Sequence, residues 1–131
     1  EMKGLTERLG ISNRVEFPGL LCKEDVRLLY LKSNIGIVSG NSETFGQSIV
    51  EPFVLGRCVI STPVGIANDI IQNGVNGYIY TSQKDLVEKF DYLYTHQNMI
   101  YQMGENNYKE RDLFNWERIS QVYKEKILFL S

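Results

Sequence analysis

Short apolar runs alternate along this chain with stretches in which apolar residues recur every three or four positions, a pattern that predicts strands and helices in turn. Apolar runs at 35–38 (IGIV) and 58–61 (CVIS) read as buried strands, and 15–17 and 78–80 as two shorter ones. Helical spacing marks 23–33, with Val26, Leu29 and Tyr30 on one face, and 46–55, which stops at Gly56. A turn of Thr62, Pro63 and Gly65 precedes a short helical piece at 68–72. Ser82 is placed to cap a helix over 82–95, with Asp85 completing a capping box, and two further helices are expected at 98–109 and 115–130. Residues 1–10, with Leu5, Leu9 and a closing Gly10, read as the tail of a helix that begins upstream.

Strand, helix, strand, helix, strand in that order implies an α/β fold with a parallel sheet. Ligands of such sheets bind beyond the carboxyl ends of the strands, where helix N-termini present amides with no intrahelical partner. Two segments occupy such ends, the polar loop 39–45 and the turn 62–65. The first leads into ETFGQSIVE, which sets Glu43 in the loop and Glu51 two turns into the following helix. Gly46 lacks a Cβ, so a phosphate can approach its amide and that of Gln47. Glu51 can accept hydrogen bonds from neighbouring ribose hydroxyls, leaving Glu43 on the sugar side of a diphosphate. Gly65 offers its own amide and that of Ile66 from the second strand end.

Composition narrows the choice of partners. The 131 residues are 43% apolar, enough for one domain with a core of its own over residues 1–131. A net charge of -2 supplies no basic field for nucleic acid or an anionic membrane, so any phosphate must be held locally. Two cysteines are too few for a disulfide framework, and Cys58 lies within an apolar run as a buried free thiol would. This points to the cytoplasm, with peripheral membrane association open to a larger parent. His96 sits in a polar stretch and reads as a surface residue, whereas Phe114 and Trp116 read as packing anchors. Arg57 precedes a strand, on the edge away from the ligand.

The segment SGNSETFGQSIVEPFVLGRCVISTPVGIANDII resembles the core of the donor-binding domain of the family 4 glycosyltransferases, retaining enzymes of the GT-B fold. The resemblance rests on Ser42, Glu43, Phe45, Gly46, Glu51, Gly56, Val59, Ile60, Val64, Gly65 and Asp69, in order and spacing. RVEFPG before it, NGVNGYIY after it and FNWERISQVY near the end extend the likeness over nearly the whole chain. The family's usual second Gly, Pro and Glu of the turn are here Ile66, Asn68 and Asp69. The resemblance implies a Rossmann-like C-terminal half of a GT-B enzyme, lacking its first strand and the phosphate-clamping Arg and Lys that lie upstream of Glu1. It implies a nucleotide-diphosphate sugar donor, UDP- or GDP-linked, and a saccharide or lipid-linked acceptor bound by an N-terminal domain. Glu51 would hold the ribose, Phe45, Gly46 and Gln47 the diphosphate region, and Glu43, as the catalytic residue, the sugar or its adjacent phosphate, with no metal or cofactor required. The fragment alone would then be inactive. A non-catalytic α/β module that binds a nucleotide or a protein on the same surface is the alternative, while a receiver-like domain is disfavoured because no acidic cluster follows the first strand.

Overall fold

The computed structural model describes residues 1–128. Helix α1 (Met2–Arg8) ends against Gly10, whose φ of 65° takes the chain into a 3-10 turn, and α2 (Lys23–Lys32) follows. Three parallel strands form one sheet in the order β1 (Ile35–Val38), β2 (Cys58–Ser61), β3 (Gly77–Ile79). Register is set by Ile35 opposite Cys58 and Val59 opposite Gly77. Helix α3 (Gln47–Val54) joins β1 to β2, and the single turn of α4 (Ala67–Ile70) joins β2 to β3. Helices α5 (Gln83–Thr95), α6 (Gln97–Lys109) and α7 (Trp116–Leu128) complete the chain.

Strand β2 is buried at all four positions, and its alternation divides the core into two layers. Val59 faces Val38, Ile49, Phe53, Ala67 and Ile71, the layer beneath α3 and α4. Cys58 and Ile60 face Tyr80, Leu93 and Met103, the layer beneath α5 and α6. Phe114 closes the first layer edge-on against Phe53, with ring centroids 5.7 Å apart. Trp116 is 78% exposed and anchors nothing, contrary to the sequence expectation for it. Helix α7 is described as far as Leu128, and positions 129–130 of the expected helix fall outside the described residues.

Close helix contact depends on small residues. Gly36 of β1 lies so near α3 that an added Cβ would come within 2.7 Å of the Pro52 ring. Gly104 in the middle of α6 would meet the Gly56 carbonyl oxygen at 2.3 Å. Gly56, with φ 69°, ends α3: its amide donates to Phe53 and the next, Arg57, to Pro52, so two carbonyls at the helix end are satisfied. Asn107 pins α6 to the sheet by donating to the carbonyls of Arg57 and Asn76, each at 2.8 Å.

Residues 15–17 are not a strand. Val15 is extended, at φ -126° and ψ 125°, but no described strand pairs with it, and a strand exists only through a hydrogen-bonded neighbour. The third strand begins one residue earlier than expected because Gly77 pairs with Val59, where any Cβ would collide with the Val59 oxygen at 2.2 Å. Ser82 caps α5 by accepting from the Asp85 amide, as the sequence suggests. The reciprocal bond runs instead from the Thr81 amide to Asp85. That bond and the Lys89 ammonium, the larger influence, hold the Asp85 carboxyl below its ordinary range.

Candidate functional site

Loop 39–46 leaves the carboxyl end of β1, and the turn 62–66 leaves the carboxyl end of β2 beside it. Hydrogen bonds lock the two together. The Thr62 hydroxyl donates to the Gly40 carbonyl at 2.7 Å, the Thr62 amide to Val38 at 3.1 Å, and the Ile66 amide to Phe45 at 2.8 Å. A loop over a three-strand sheet is thereby fixed at both ends before any ligand arrives.

Glu43 is framed by two glycines. A Cβ on Gly46 would lie 3.5 Å from the Glu43 Cγ, and one on Gly65 would lie 3.2 Å from it. Both glycines have positive φ, 101° and 50°, so both the space and the backbone conformation exclude side chains. Gly46 caps α3, and its carbonyl accepts from both Ile49 and Val50. Among the described residues the amides of Gly46, Gln47 and Ser48 donate to no backbone carbonyl. They form the positive end of the α3 dipole.

Glu51 lies one turn beyond Ser48 and is exposed. Glu43, Thr44, Phe45, Gly46, Gln47, Ser48 and Glu51 line a single open concavity of about 530 Å³. The two carboxylates therefore look into one space, at the strand ends, with the free amides between them in sequence. Such a space can take an anionic group against the amides and a hydroxyl-bearing ring on either side of it.

Gly65 does not line the concavity. It lies beneath it, where its missing Cβ makes room for the Phe45 carbonyl, which a methyl group would meet at 2.5 Å. The Ile66 amide, offered to a ligand by the sequence reading, is already engaged by that carbonyl. Sequence reasoning missed Thr44 and Ser48 as lining residues. Ser48 was within reach of it, three positions before Glu51 and so on the same helix face.

Arg57 stands at the amino end of β2, away from the concavity, and its guanidinium donates to the Leu55 and Ser33 carbonyls at 3.0 and 3.1 Å. His96 is exposed between α5 and α6, stacked on Tyr92 with centroids 4.3 Å apart. No helix among the described residues is long and apolar enough to cross a membrane.

Residues 1–110 match the family described as Glycosyl transferases group 1. The chain belongs to that family. A curated relative, the uncharacterized glycosyltransferase MJ1178 of Methanocaldococcus jannaschii, is 29% identical over 119 residues, 86% of this chain and 34% of its own length. The chain thus spans about a third of that relative. Among solved structures, HepE of Anabaena in complex with UDP superposes with a TM-score of 0.84 at 25% identity, over 96% of this chain and 35% of that one. The same Anabaena protein in complex with UDP-glucose gives 0.81. The C-terminal domain of a glycosyl transferase group 1 protein (LpcC) from Francisella tularensis gives 0.76 at 20% identity, over 88% of this chain and 60% of that one, a likeness of fold. The group 1 chain described here has the α/β architecture of the C-terminal half of a GT-B glycosyltransferase.

Proposed function

We propose that this chain is the donor-binding domain of a retaining glycosyltransferase of family 4 type, moving a hexose from a UDP- or GDP-linked sugar to a saccharide or lipid-linked acceptor. The observation that carries the reading is the meeting of Glu43, Glu51 and three unengaged amides of α3 on one concavity at the carboxyl edge of a parallel sheet. The complexes of the Anabaena relative with UDP and UDP-glucose support it.

In this reading the diphosphate lies against the amides of Gly46, Gln47 and Ser48, and the ribose hydroxyls donate to Glu51. Phe45 covers one side of the diphosphate, and Glu43 faces the departing sugar as the group nearest the reacting carbon. As the bond from sugar to phosphate breaks, negative charge accumulates on the diphosphate, and amides already aimed at it stabilise that charge without reorganising. No metal is called on for this step. Gly65 acts from below, since the backbone it accommodates positions Phe45 and Glu43. The domain comprises residues 1–131, and the acceptor is held by the rest of a cytoplasmic parent that is free to associate with a membrane surface.

A non-catalytic nucleotide- or protein-binding module would use the same concavity. Calorimetric titration with UDP and with GDP, of the chain and of its longer parent, separates the readings. Saturable heat from one of them, with transfer by the parent, is the expected result. No heat from either nucleotide with either protein overturns the donor assignment.

A further inference from the structure

A second cavity, of about 660 Å³, opens at the amino ends of the strands, the pole opposite Glu43. Asn34 and Arg57, the residues immediately before β1 and β2, form part of its wall, and Arg27 of α2 and Lys109 of α6 supply two more cations. Its size falls within the usual range for a small-molecule site.

Arg57 is the informative residue. Its guanidinium is half-buried and fixed by two backbone carbonyls, yet these neutral acceptors leave its formal charge without a counter-ion. Among the described residues the ion pairs within 4.0 Å are Lys84 with Glu88 and Asp85 with Lys89, all on α5, so none of the three lining cations has a carboxylate partner. Glu105 is the one acidic residue in the wall. Three cations against one carboxylate, in a chain of net charge -2, is a local excess of positive charge around a donor held in fixed orientation. A planar guanidinium and a mobile ammonium together suit a phosphate group, which accepts from several directions at once.

The rest of the cavity suits a ring. Tyr101 and Tyr108 are seven residues apart on α6, hence on one face and about 10 Å apart along its axis, and they are 65% and 52% exposed. Gly104 between them is the point where α6 touches the Gly56 turn, so the space between the two phenol rings is floored by backbone rather than filled by a side chain. The Arg111 guanidinium covers one face of the Tyr108 ring, 3.9 Å from its centroid, so the exposed Tyr101 ring beside the glycine floor provides the stacking surface for a sugar or base.

We infer that this cavity binds a phosphorylated ring compound, a sugar phosphate or nucleotide, at a site separate from the donor concavity. The phosphate is held by Arg57, Arg27 and Lys109, and the ring lies against Tyr101. The inference is independent of the donor reading, because it uses none of its residues.

The test is a heteronuclear NMR titration of the protein at low salt with ribose 5-phosphate, AMP and inorganic phosphate. The expected result is saturable movement of the Arg57 Nε–H, Tyr101 and Gly104 signals with AMP. Matching affinity for ribose 5-phosphate identifies a sugar-phosphate site, and tighter AMP binding identifies a nucleotide site. Lys109→Gln and Arg27→Gln, both at the surface, are each expected to weaken binding about tenfold, the loss of one charged hydrogen bond. Absence of movement at these signals with every probe overturns the inference. So does inorganic phosphate binding as tightly as both ring compounds, or affinity unchanged in both variants. Movement confined to Gln47 and Ser48 also overturns it, and leaves the donor reading standing.

Discussion

The Ile66 amide donates to the Phe45 carbonyl at 2.8 Å, tying the turn after β2 to the loop after β1. That bond forms only because Gly65 lets the two backbones meet. Gly65→Ala would set a methyl group 2.5 Å from the Phe45 oxygen at a residue whose φ is +50°. We expect a loss of about 2 to 3 kcal/mol of stability by urea denaturation, combining overpacking with backbone strain. Nucleotide affinity should fall as well, since Glu43 and Phe45 are displaced together. Unchanged stability would show that the turn yields.

Gly104→Ala sets local preference against packing. In an exposed helix the change would stabilise by about 1 kcal/mol. Here the new methyl would lie 2.3 Å from the Gly56 carbonyl oxygen, backbone against backbone. The midpoint of urea unfolding should therefore move down, by an amount equivalent to about 1 to 3 kcal/mol. A rise would mean that α6 shifts freely away from the Gly56 turn.

Cys58 and Cys22 should behave as opposites. Cys22 is exposed, while Cys58 is buried in the core, where burial pushes its thiol up to about 12 from an ordinary value of 9.0. A thiol reagent at neutral pH should label one cysteine quickly and the second only on unfolding. Above pH 9 the unfolded thiol ionises while the folded one stays neutral, so stability falls as pH rises from 9 towards 12, by up to about 1.4 kcal/mol per unit. Comparing stability from pH 9 to 11 in the native protein and in Cys58→Ala isolates this contribution. Equal slopes in the two proteins would contradict it.

Strands β1 and β2 were legible in the sequence because each is a short apolar run bounded by polar residues, and α3 because its amphipathic face ends at a glycine. Residues 15–17 have the composition of a strand without a neighbour to pair with, and composition cannot report a neighbour. Trp116 was misread for a related reason: an aromatic residue on a helix says nothing of whether another surface covers it. The shared concavity of Glu43 and Glu51 followed from a loop entering a helix at a strand end, which is local. The seating of Glu43 between Gly46 and Gly65 did not, because that contact joins positions twenty-two apart. The cavity around Arg57 is assembled from α2, the turn after α3, and α6, and leaves no mark on any one of them.

The central claim, that Glu51 and the amides of α3 hold one nucleotide diphosphate, is tested most directly by calorimetric titration of UDP or GDP, whichever binds, into the native protein and Glu51→Ala. Glu51 is exposed, so the variant should keep its fold. The account predicts a loss of about 1 to 3 kcal/mol in binding free energy, the worth of charged hydrogen bonds to ribose. Equal affinity in the two proteins would contradict it.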